Sequence, residues 1–149
     1  MLVDQLRADL TAAMKARDPA VTGALRLGLA ALGEASVAGD EARTLTDAEA
    51  VSVLTKAARK HEEAAEAFAA AGREERAAQE RAAREVLARY LPAGLGDDEL
   101  ASLVDEVLRA HGLTSPTDMG AAMKAVNAEV AGRADGKAVA AIVKSRLAL

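Results

Sequence analysis

The sequence has no cysteine and no tryptophan. Without thiols there is no disulfide framework, no thiolate zinc site and no cysteine nucleophile. Aromatic residues are reduced to Phe68 and Tyr90. Sheets draw on aromatic and β-branched residues, so this scarcity argues against a β core, and no alternating strand pattern occurs. Long hydrophobic runs are also missing. The weakly charged stretch from Leu27 to Leu32 falls far short of the roughly 18 residues that mark a membrane helix. Met1-Leu2-Val3-Asp4 offers neither a basic segment nor an apolar one of the kind that opens a secretory signal. The expectation is a soluble, cytoplasmic protein without membrane contact.

Apolar residues nevertheless make up 51% of the 149 positions, enough for a core of Ala, Leu, Val and Met. Such a core suits closely packed helices, and alanine is the best helix former. The net charge is −4, so any nucleic-acid contact must be local. The charge is unevenly spread. Residues 119–149 carry +3 from five bases and two acids, which leaves −7 on residues 1–118.

Periodicity and capping signals predict seven helices. Leu2, Leu6, Leu10 and Met14 recur every four residues and predict an apolar stripe on a helix ending near Ala16. Asp18-Pro19 is an N-cap followed by a first-turn proline. The helix it opens, to about Ala38, carries Val21, Leu25, Leu27, Leu29 and Leu32. It is apolar on most sides, as expected of a central helix. Gly23, Gly28 and Gly33 would permit close approach of neighbours. Thr46 and Glu49 have the spacing of a capping box for a third helix to Ala70, with Leu54, Ala57, His61, Ala64 and Phe68 on one face. A fourth helix, about Arg73 to Arg89, is rich in Arg, Glu and Ala. Tyr90-Leu91-Pro92 followed by Gly94 and Gly96 breaks the chain. A fifth helix starts at Asp97 with three acids and stops at Gly112. Ser115-Pro116 opens a sixth, and Gly132 to Asp135 turns the chain into a seventh that ends near Leu147. The predicted fold class is all-α, with four helices in residues 1–91 and three in residues 97–149.

Few residues offer chemistry. His61 and His111 lack a ligand partner at metal spacing; His61, on an apolar stripe, suits a satisfied core or boundary histidine, and His111 a helix C-terminus. Glu62, Glu63 and Glu66 beside Arg59 and Lys60 read as a solvated face. No phosphate loop, nucleophile elbow or dinucleotide fingerprint occurs, so neither catalytic residue, cofactor nor metal is expected. Arg26 interrupts the most apolar helix. It reads either as an internal ion pair with Glu34 or a third-helix Glu, or as a ligand contact in a groove.

The C-terminal bases form the candidate site. Lys137 and Lys144 are seven apart and share a helix face. The turn before them leads into a helix N-terminus, whose amides can bind phosphate. Arg133 and Lys124 extend the same set, with Gly132 and Gly136 shaping the turn. A phosphate-backbone contact and ordinary solvated side chains are both compatible with this pattern. Stacking aromatics are lacking, which argues against base-specific reading of single strands.

Several elements in order resemble the GatB/YqeY family over essentially the full length. They are Arg73, Tyr90-Leu91-Pro92, Asp118-Met119-Gly120, Met123-Lys124, Gly132-Arg133-Ala134-Asp135-Gly136-Lys137, Val139, Val143 and Leu147. The C-terminal part is also similar to the tail domain of the B subunit of the tRNA-dependent amidotransferase. The resemblance implies an N-terminal helical bundle joined by the Tyr-Leu-Pro hinge to a small three-helix subdomain. It implies a non-catalytic tRNA-binding or accessory module, in the context of glutamine-dependent carbon–nitrogen ligase activity. Lys124, Arg133, Lys137 and Lys144 would be its phosphate contacts. The alternative is a protein–protein interaction module with no nucleic-acid role. The fourth helix departs from the family pattern, because Arg76 and its Ala/Arg surroundings stand where larger apolar residues are expected.

Overall fold

A computed structural model describes residues 1–148, and all regular structure among them is helical. Seven α-helices follow in order: α1 Leu2–Lys15, α2 Pro19–Ser36, α3 Asp47–Ala70, α4 Glu74–Ala88, α5 Asp97–His111, α6 Met119–Val130 and α7 Gly136–Leu147. A short 3-10 turn, Pro116–Asp118, leads into α6. The chain forms two compact units, Met1–Leu91 and Pro92–Leu149, each with its own apolar core.

In the first unit the capping signals act where they stand in the sequence. Asp18 Oδ1 accepts from the Val21 amide at 3.2 Å. Thr46 Oγ1 accepts from the Glu49 amide, and Glu49 Oε2 accepts from the Thr46 amide at 2.8 Å, closing the box that starts α3. Arg43 adds a bond to Glu49 at 2.9 Å. With the Arg43 bond as the main cause and the Thr46 amide next, the Glu49 carboxyl is pulled down to about 2.

Helix α2 packs against α1, α3 and α4 and so lies centrally in this unit. Leu6, Leu25, Leu54 and Leu87 meet there, fully buried. Gly28 is the glycine that makes the approach possible. A Cβ on it would lie 3.0 Å from Leu87 Cδ2 and 3.3 Å from Leu54 Cδ2, whereas Gly23 and Gly33 face open space. Two expectations about α1 and α2 are corrected. A four-residue repeat drifts around a 3.6-residue helix, so Met14 rotates off the stripe and is 50% exposed, while Ala13 takes the buried place. Leu27 turns outward at 57% exposure, and Arg26 is exposed beside Met14 Sδ at 3.9 Å instead of forming a buried ion pair.

Helices α3 and α4 form a long antiparallel pair whose contact is lined with alanines, Ala65 and Ala77 being fully buried. Small side chains let the backbones approach, and polar groups at the margins hold the pair. His61 Nδ1 lies 2.6 Å from Glu80 Oε2. Arg84 Nε meets Glu62 Oε2 at 2.7 Å; these two atoms are buried and not aligned as a hydrogen bond, while the rest of both side chains is partly exposed. Glu62 is therefore engaged between helices rather than merely solvated. Phe68 sits under Arg73 and Arg76, whose guanidinium carbons are 5.4 and 5.6 Å from the ring centroid. Arg76 thus replaces apolar packing with a cation–π contact. The Tyr90 hydroxyl donates to Asp9 Oδ2 at 2.6 Å and ties the end of the unit back to α1. Burial first, and this bond second, push the Tyr90 hydroxyl up to about 12.

The second unit is built from α5, α6 and α7, which all contact one another. Its core holds Val104, Val126, Val130, Val139, Val143 and Leu147 at close to zero exposure. Gly112, at φ 65°, ends α5 in a left-handed cap in which the Leu113 amide reaches the Leu108 carbonyl. Asp118 Oδ2 accepts from the Thr114 and Ser115 amides, each at 3.0 Å, and fixes the turn before α6. Arg146 Nε donates to Asp105 at 2.7 Å and joins α7 to α5.

Candidate nucleic-acid interface

Lys124 projects from α6, and Lys137 and Lys144 from α7. Each is exposed. The helical spacing explains why. Lys124 lies two residues from both Ala122 and Val126, close to the far side of the helix from the core. Lys137 and Lys144 differ by only about 20° around α7, on the flank away from Val139 and Val143. Among the described residues no carboxylate comes within ion-pair distance of these three ammonium groups. They are donors of the kind that meets phosphate as a point charge.

Arg133 is placed differently. It is half-buried, and its Nε donates to the Ala93 carbonyl at 3.0 Å while its own carbonyl accepts from the Leu95 amide at 2.9 Å. The residue fastens the segment that follows Pro92 to the turn before α7. Gly94 lies against this contact, where a Cβ would just touch the Arg133 carbonyl at 3.4 Å. Within the turn, Ala131 and Gly132 take left-handed backbone at φ 49° and 80°. Gly136 does not; it opens α7 outside the left-handed region and faces open space.

The α7 N-terminus corrects a sequence expectation. Asp135 caps it, with Oδ1 accepting from the Lys137 amide at 3.3 Å. A carboxylate thus takes the Lys137 amide, one of the first-turn amides expected to bind phosphate, and places a charge like that of phosphate at the positive end of the helix. Sequence reasoning treated Asp135 only as part of a turn; its position one residue before the helix was the available signal.

The arrangement defines a class first: an all-helical, two-unit protein with exposed lysines in its second unit. His61 is bonded to Glu80, and His111 is exposed at the end of α5. The chain belongs to the family of YqeY-like proteins, whose model matches residues 3–147. No curated protein sequence matches it. No helix among the described residues is long and apolar enough to cross a membrane.

Proposed function

We propose that the protein is a cytoplasmic, non-catalytic tRNA-binding accessory module, acting through the basic set of its C-terminal unit. The observation that carries this reading is the trio Lys124, Lys137 and Lys144, exposed and without an ion pair among the described residues, within a stretch of net charge +3. Resemblance of this region to the tail of the amidotransferase B subunit supports tRNA as the polyanion. Glutamine-dependent carbon–nitrogen ligation then belongs to a larger assembly that this chain would assist. In this reading the N-terminal helices form a bundle that carries the tail, with Tyr90-Leu91-Pro92 as the joint. The division of the chain at Leu91 and Pro92 supports that layout.

Arg133 contributes less to binding than the three lysines, because its Nε is committed to the Ala93 carbonyl. Contacts of this type read charge and shape rather than base sequence. The test is a filter-binding titration of purified protein with tRNA and with duplex DNA of equal length at low salt. Tighter binding of tRNA is the expected result. Equal affinity, or none, removes the proposal.

A further inference from the structure

The second unit also has a surface of opposite character. Residues 92–118 contain six acids and one base, Arg109. Along α5 and the end of α6 runs an open trough of about 720 Å³. Leu95 and Leu103 contribute apolar surface to it, and Asp98, Glu99, Glu106 and Glu129 line it with carboxylates. None of these four is within ion-pair distance of a base among the described residues. Asp105, which does have a partner in Arg146, is outside the trough lining. His111 is the only side chain in the lining that can become cationic.

From Asp98 to Ala110 the trough follows more than three turns of α5, about 18 Å at 1.5 Å per residue. An open trough of that length, half apolar and rimmed by one sign of charge, fits a helix better than an enclosed small molecule. Unpaired carboxylates repel phosphate, so the trough is not an extension of the basic set. We infer that it docks a cationic amphipathic helix of a protein partner, which lays apolar side chains on Leu95 and Leu103 and brings Lys or Arg to the four carboxylates. Charge complementarity selects the partner, and the apolar floor supplies the burial. This surface is independent of the RNA reading: it involves different residues and a partner of opposite charge.

The probe is a synthetic amphipathic helix of about 18 residues, long enough to hold helical structure, with Leu at i, i+3, i+4, i+7 spacing and Lys elsewhere. Two controls replace every Lys by Glu, or every Leu by Ser. Amide chemical shifts of the full chain locate the contact, and fluorescence anisotropy gives its affinity. The Lys/Leu peptide should shift Ser102, Leu103, Ala110 and Glu129, and both controls should bind far more weakly. Glu106→Gln with Glu129→Gln should weaken binding about fivefold or more. These positions are exposed, so the fold is retained. Leu103→Ala should weaken it with no change of charge. Absence of binding, shifts confined to other helices, or equal binding of the Lys/Ser peptide would overturn the inference.

Discussion

The two units differ in how many polar side chains fasten one element to another. In the first, polar groups fasten helix to helix: His61 to Glu80, Glu62 to Arg84, Tyr90 to Asp9. In the second, Arg146 and Arg133 do comparable work; among the described residues its three lysines and four trough carboxylates have no ion-pair partner, and neither do Lys56, Lys60, Glu63 and Glu66 of the first unit. An alanine-rich core has few large side chains to specify how helices meet, and margin contacts supply part of that specification in the first unit. Unmatched charges in the second add nothing to the fold that the structure shows. In the second unit they separate into a basic set and an acidic trough, and the two proposed contacts lie there.

The largest expected effect lies in the first core. Gly28→Leu should cost about 3 kcal/mol, because the new side chain must displace Leu87 and Leu54 from a packed interior. A lowered urea midpoint checks it, and an unchanged midpoint would mean that the helices separate easily there.

Next comes the Tyr90 fastening. Tyr90→Phe should cost about 1 kcal/mol by removing a hydrogen bond to a carboxylate. Because folding raises the Tyr90 pKa, its contribution is complete below pH 10 and is lost as pH rises through about 12. Thermal melts across that range should fall more steeply for the parent than for the Phe variant. Parallel curves would show that the hydroxyl is idle.

At acid pH the signs reverse. Folding lowers the Glu49 pKa, so its contribution is present above its ordinary value of 4.5 and fades as pH falls toward about 2. Glu49→Gln should flatten that limb of the stability profile by a small amount, since the ion pair with Arg43 is exposed to solvent. An unaltered acid limb would leave the capping box with no measurable electrostatic part.

The smallest stability effect belongs to the second unit. Lys137→Gln with Lys144→Gln should leave the melting midpoint unchanged, within about 0.5 kcal/mol, as expected of exposed positions without partners. A large loss would place these lysines in the fold and not at an interface.

Helix identity was legible in the residues because local chemistry sets it. Asp18, the Thr46–Glu49 box, Gly112 and Ser115 act within a few positions of where they stand. What escaped depends on distant partners or on an ambiguous period. Helix α2 is apolar on several sides, so its sequence did not show that Arg26 and Leu27 would both face outward. Arg76 appeared misplaced until Phe68 was found beneath it, across the α3–α4 turn. The Tyr90–Asp9 bond joins residues 81 positions apart.

In the candidate site, exposure of Lys137 and Lys144 followed from their spacing against Val139 and Val143. The attachment of Arg133 to Ala93 needed the folded chain, because it closes a loop of 40 residues. Much of the family-like wording in this region is thereby explained as structure: Asp118 fixes the turn before α6, Asp135 is a cap, Gly132 is a turn, and Arg133 is a fastening.

The central claim is that the C-terminal lysines meet the phosphates of tRNA. Its most direct test is the salt dependence of tRNA affinity for the parent protein and for the variant with Lys137→Gln and Lys144→Gln, measured by fluorescence anisotropy. The account predicts weaker binding by the variant and a log–log salt slope reduced by up to about 2, one counterion contribution per lost contact. Equal affinities and identical slopes for the two proteins would contradict it.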